Sequence, residues 1–182
     1  MMGQTPTTEK VMSYEVKNVK GFMGSDCPGY NATLYRDGKK VALVINDGSG
    51  GQETVHWYDV EAPRVDFATN NYKGDSGVMR CTPEQAMLME HLKGKKVAQD
   101  EVMGEPEMSL GMFLAGLVDD FENNKRFKKM CKSKTLYRVK GDKQDVYRVC
   151  HYSFNRAVKS ALEMKFGDQL EVIFNEKFGQ VA

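Results

Sequence analysis

The dipeptide Asp37-Gly38 constrains the fold of this chain more than any other pair of residues. It joins two apolar-patterned runs. Tyr30, Ala32 and Leu34 alternate with Asn31, Thr33 and Tyr35 before it, and Lys39–Ile45 follows it. A period of two puts alternate side chains on one face of a strand. Asp-Gly between such runs predicts a two-residue type I′ turn, because both turn positions need positive φ. The chain is thereby committed to an antiparallel hairpin, and the flanking segments extend it. Ser13–Phe22 predicts a strand before it. Asn46–Gly51 (NDGSGG) predicts a second turn, and Gln52–Asp59 a fourth strand. The continuous apolar run from Val41 to Ile45 predicts a strand covered on both faces.

Beyond this meander the pattern changes. Val60–Val78 reads as an irregular connection with one short strand near Arg64–Ala68. Thr82 is a good N-cap, Pro83 suits the first helical position, Gln85 completes a capping box, and Gly94 stops the helix. Lys95–Glu107 is polar and holds Gly104 and Pro106. It marks the expected boundary between two halves, 1–94 and 95–182, unless the chain forms one compact domain. Ser109 caps a helix in which Leu110, Phe113, Leu114, Leu117, Val118 and Phe121 form one stripe, running on to Cys131. Lys134–Lys140 and Asp145–His151 predict a second hairpin. Asn155–Phe166 predicts a helix ended by Gly167. Asp168 and Glu171 predict a capping box that opens a last helix to Phe178. Strands and helices are segregated, so the expected class is α+β: an N-terminal antiparallel β-meander, then helices with a second β-hairpin.

Composition excludes several function classes. The 26 basic and 25 acidic side chains leave a net charge of +1, so no global basic footprint for nucleic acid exists. No apolar run reaches the roughly 18 residues that a membrane span needs. Cys27, Cys81, Cys131 and Cys150 are widely spaced, and the N-terminal stretch is polar. These features predict reduced thiols and a cytoplasmic protein. Twelve methionines supply adaptable apolar surface.

Motifs for catalysis are missing. NDGSGG is followed by neither Gly-Lys-Ser/Thr nor a helix, and neither GxGxxG nor GxSxG occurs. His56 and Trp57, adjacent on a strand, point to opposite faces. His91 and His151 lack a partner motif. Among the three histidines and four cysteines, Cys150-His151 is the only close pair, and adjacent strand residues diverge, so no metal or cofactor is expected. Asp119 and Glu122 share a helix face at i, i+3 but lack a third ligand. The expectation leans to a protein that is not an enzyme, with an enzyme of unfamiliar type left open.

Charge is patterned locally. Between Gln99 and Glu122 stand seven acidic residues and no Lys or Arg; between Lys125 and Arg148 stand ten basic residues and two acidic ones. Basic residues at the end of a helix suit its macrodipole. That accounts for the first five, but not for Arg138, Lys140 and Arg148. If the hairpin register sets Arg138 near Arg148, the two like charges need an anion between them. The predicted anion-binding face comprises Lys129, Lys132, Lys134, Arg138 and Arg148, with Tyr137 or Tyr147 to stack a base. Gly48, Gly50 and Gly51 could add backbone N–H groups as an anion nest, although a plain glycine-rich hairpin turn is the preferred reading of that loop.

Gly29-Tyr30-Asn31-Ala32-Thr33-Leu34-Tyr35-Arg36-Asp37-Gly38-Lys39-Lys40-Val41, followed by Asn46–Gly51, resembles the opening of small proteins encoded by bacteriophages and other mobile elements. The resemblance covers about Val16–Trp57 and is weaker at Lys134–Asp142. It implies a protein made in an infected bacterial cell, acting in host takeover or counter-defence. It carries over no catalytic residue. Joined to the charge pattern, it predicts a binder of an anionic, nucleotide-like small molecule. The alternatives are a protein–protein inhibitor of a host defence enzyme, engaging the acidic segment or the Met-rich surface, and a nucleic-acid-binding protein using the basic face. A homo-oligomer is compatible with the acidic and basic blocks, which are equally able to pair within one chain.

Overall fold

The computed structural model describes residues 12–70, 76–97, 107–143 and 146–180. The chain is an α+β protein that divides into two compact units, Met1–Asp119 and Asp120–Ala182. The expected boundary lay in the loop 95–107, of which residues 98–106 fall outside the described residues. The observed division lies inside the longest helix.

The first unit opens with the meander. Strands β1 (Tyr14–Met23), β2 (Pro28–Arg36), β3 (Lys39–Asn46) and β4 (Thr54–Trp57) form one antiparallel sheet in that order. The turn between β2 and β3 is the one that Asp-Gly dictates: Asp37 has φ 49° and Gly38 φ 80°. Register puts Val16, Leu34, Ala42 and Trp57 in one row across the sheet, and all four are buried. His56 pairs with Leu43 on the other face and is exposed, as alternation requires.

The short strand expected near Arg64–Ala68 is β5 (Val65–Asn70), and the rest of that segment, expected to be irregular, supplies a partner, β6 (Ser76–Cys81), so that the two form a hairpin. Residues 71–75 within it fall outside the described residues. Helix α1 (Pro83–Leu92) begins as its sequence dictates, with Thr82 Oγ1 accepting from the Gln85 N–H at 3.2 Å. Its Glu84 is buried and takes a two-point ion pair from Arg36 of β2, at 2.7 and 2.9 Å. Tyr14 of β1 packs against the rings of His91 on α1 and of Phe113. These contacts pin the helix to the buried face of the sheet. Removing either partner of such a buried pair costs about 3–5 kcal/mol.

Helix α2 (Leu110–Cys131) starts in the first unit and ends in the second. The second unit then holds β7 (Thr135–Val139), β8 (Arg148–Cys150), α3 (Arg156–Phe166), a single 3-10 turn at Gly167–Gln169, β9 (Leu170–Ile173) and α4 (Phe174–Lys177). Its sheet has the order β8-β7-β9, all antiparallel. The helix predicted from Asp168 to Phe178 is therefore broken: the strand Leu170–Ile173 interrupts it, and only Phe174–Lys177 is α-helical. Leu170 and Val172 alternate with Glu171 and buried Ile173, and β7 offers an edge to pair with; tertiary pairing overrides the capping-box pattern.

Asn175 locks this unit together. It is fully buried; its Oδ1 accepts from the Leu136 N–H at 2.9 Å, and its Nδ2 donates to the carbonyls of Lys134 and Cys131. One side chain thus satisfies the orphan carbonyl at the end of α2 and the first amide of β7 that the sheet leaves open. Among the described residues, no helix is long and apolar enough to cross a membrane.

Candidate functional site

The second unit contains a cleft of about 760 Å³. One wall is a face of α2. Asp120, Asn123, Asn124 and Phe127 recur at i, i+3, i+4 and i+7, so they project in one direction. The opposite side is formed by Arg138 of β7, by Val146 and Tyr147 leading into β8, and by Phe174 and Lys177 of α4. The floor is aromatic. The Phe127 ring meets Tyr147 edge-on at 4.9 Å between centroids and Phe174 at 5.4 Å. The Tyr147 hydroxyl donates to Met130 Sδ, which fixes that ring.

Three cations line the cleft, Arg126, Arg138 and Lys177, against one carboxylate, Asp120. The Arg126 guanidinium sits 5.6 Å from the centre of the Phe127 ring, within cation–π range. Arg138 donates from Nε and Nη2 to the two oxygens of Glu171, at 3.0 and 2.8 Å. Sites for small molecules typically enclose roughly 300–1,000 Å³, with few polar groups on an apolar frame. This cleft has that size but a more polar lining, with six of its ten residues polar or charged: rings for a planar group, guanidinium and ammonium groups for anionic oxygens, and two Asn amides that both donate and accept.

The unit that holds it is basic. Of the 26 basic and 25 acidic side chains, 14 and 8 lie in residues 120–182, leaving 12 and 17 before them. The second unit thus carries a formal +6 and the first a formal −5. The near-neutral total conceals this split.

The residues singled out from sequence are placed in four groups. Arg138 and Tyr147 line the cleft. Arg148 and Tyr137 do not. Register pairs Tyr137 with Arg148, so they share the other face of the hairpin, where Phe166 packs 5.4 Å from Tyr137 and 6.0 Å from the Arg148 guanidinium. The premise that Arg138 and Arg148 crowd each other does not hold in this register. Each also has its own carboxylate: Arg148 forms a two-point pair with Asp142 at 2.8 and 3.0 Å. That pair holds the Asp142 carboxyl below the usual carboxylate range, through the hydrogen bonds from Arg148 first and the Val139 N–H second.

Lys129 and Lys132 are exposed near the end of α2, and Lys134 is half-buried just beyond it. None of the three lines the cleft. Gly48, Gly50 and Gly51 belong to the first unit. There the Gly48 N–H donates to Asn46 Oδ1 at 3.0 Å, and the Ser49 N–H and hydroxyl both donate to Asp47 Oδ1. The loop spends these donors on its own side chains. Gly48 is glycine for another reason: at φ 73°, a Cβ there would run into the Cys27 carbonyl and the Gly24 backbone.

Other chemistry is sparsely provided. The four cysteines are free thiols, and burial pushes those of Cys81 and Cys131 up, away from the reactive thiolate. Burial, aided by Lys95, holds His91 below its ordinary value. Among the described residues, no three His, Cys, Asp or Glu side chains gather as a metal site would require. The acidic run from Gln99 to Glu122 lies partly outside the described residues.

No family model, no curated protein and no solved structure matches this chain.

Asp120, Asn123, Asn124, Arg126, Phe127, Phe174 and Lys177 were missed as site residues on sequence alone. A signal existed: from Asp120 onward α2 places polar residues, Asp120, Asn123 and Asn124, with Phe127 at helical spacing, where the preceding stripe was apolar. The role of α4 was hidden, because its position depends on the pairing of β9.

Proposed function

We propose that this protein is a non-enzymatic binder of an anionic, nucleotide-like small molecule, and that the ligand lies in the cleft of the second unit. One observation carries the reading: three cations, Arg126, Arg138 and Lys177, surround a floor built from Phe127, Tyr147 and Phe174. Phosphate oxygens suit the cations, a base suits the rings, and Asn123 and Asn124 suit the base edge. The resemblance of Gly29–Gly51 to phage-encoded proteins supports a role in host takeover or counter-defence, in which sequestering a nucleotide signal is sufficient without turnover. Native mass spectrometry of protein purified from bacteria, before and after denaturation, tests this. The expected result is a retained small anion at stoichiometric occupancy that is absent from the Arg126→Glu, Lys177→Glu double variant. A wild-type spectrum without added mass, and no melting shift with any nucleotide, would count against it.

A second reading has its own observation. Lys125, Lys128 and Lys129 are exposed at i, i+3 and i+4 on α2, and exposed Lys132 directly follows its end. Such a stripe suits a phosphate backbone. Retardation of RNA or DNA that disappears with added salt would favour this reading over the cleft.

A further inference from the structure

The bond that Arg138 makes to Glu171 bears on how the cleft selects its ligand. In β9, Val172 pairs with Arg138 and Leu170 pairs with Val139, so Glu171 is the extra residue of a bulge. In a regular ladder, Glu171 would point away from the side that Val172 and Arg138 share. The bulge re-aims it, as bulges beside sites do. Its carboxylate then meets the guanidinium at two points, 3.0 and 2.8 Å. This is the fork geometry that Arg also offers to a phosphate.

The two partners differ in surroundings. The Arg138 side chain is 17% exposed and that of Glu171 41%. Glu171 is not among the cleft residues and lines an adjoining groove, where Lys159 pairs with Glu163 and Glu176 and which shares Lys177 with the cleft. Glu171 holds the guanidinium fork on a protein carboxylate in place of a cleft ligand, and, being partly exposed, it rehydrates at little cost when the fork leaves.

We infer that Glu171 is an internal counter-anion for Arg138, and that a phosphate of the ligand displaces it to take the fork. This rests on the proposed nucleotide-like ligand. The pair acts as a threshold. A weakly charged ligand cannot win Arg138 from a two-point carboxylate, whereas a terminal phosphate, with more charge and three acceptor oxygens, can. The ligand class is thus a nucleoside phosphate with a terminal phosphoryl group, in preference to a nucleoside.

A double-mutant cycle tests this by calorimetric titration of ADP into wild type, Glu171→Gln, Arg138→Met and the double variant, with adenosine as control. Glu171→Gln keeps the shape and removes the competing charge. The expected result is ADP binding about fivefold tighter in Glu171→Gln than in wild type. Adenosine should show no change, and no gain should appear when Met replaces Arg138. Glu171→Asp, which shortens the reach, should give a smaller gain and serves if Glu171→Gln folds poorly. If wild type binds ADP while Glu171→Gln binds it equally, or gains equally without Arg138, the counter-anion role is overturned and the ligand reading stands. If none of the proteins binds ADP, both fall.

Discussion

Glycine is used in two different ways within the loop 46–51. Gly48 and Gly50 both sit at positive φ, 73° and 78°. Gly48 also packs against the Gly24 and Cys27 backbone, whereas a Cβ at Gly50 would meet nothing within 4 Å. Gly48→Ala should therefore cost about 3 kcal/mol or more, from strain and overpacking together. Gly50→Ala should cost only about 1–2 kcal/mol, from φ alone. Urea midpoints of the two variants check this, and equal losses would contradict it. At this scale the sequence is ambiguous, because a glycine needed for φ and one needed for close approach are the same letter. The same holds for Arg138 and Arg148. Ten positions apart in one basic block, they read alike, and only the register sends one to the cleft and the other to Phe166.

Elements whose signals are local were legible, and elements made by distant partners were not. Asp37-Gly38 fixes the β2–β3 turn through its own φ preferences, and Thr82-Pro83 starts α1 through its own hydrogen bond. Strand β9 is four residues long, and nothing near it in sequence requires extension; β7, some thirty residues earlier, does. The cleft inherits that difficulty, because its walls come from α2, the β7–β8 hairpin and α4.

The hairpin makes a pH prediction. Asp142 accepts from the Val139 N–H and clasps Arg148 across the turn, which keeps its carboxyl below the usual range. A carboxylate whose folded pKa lies below its unfolded one contributes stability that is complete above the unfolded value, about 4. That contribution is lost as pH falls through the folded value. Asp142→Asn should therefore be less stable than wild type at pH 7, and the difference should shrink as pH falls below about 4. Thermal melts across that range check it; a gap that is independent of pH would show that the clasp is not the cause.

At the scale of the whole molecule, charge separation is the property that composition hides. A formal +6 in residues 120–182 against −5 before them gives the second unit a positive field, into which its cleft opens. That field draws anions from solution and weakens with salt, over a Debye length of about 8 Å at physiological ionic strength. The most direct test of a nucleotide-like ligand in this cleft is hydrogen–deuterium exchange with and without saturating ADP at low salt. Protection should concentrate in 120–127, 137–139 and 170–177, and should fade as salt is added. Protection confined to the glycine loop 46–51, or no ligand-dependent change in the second unit, would contradict the account.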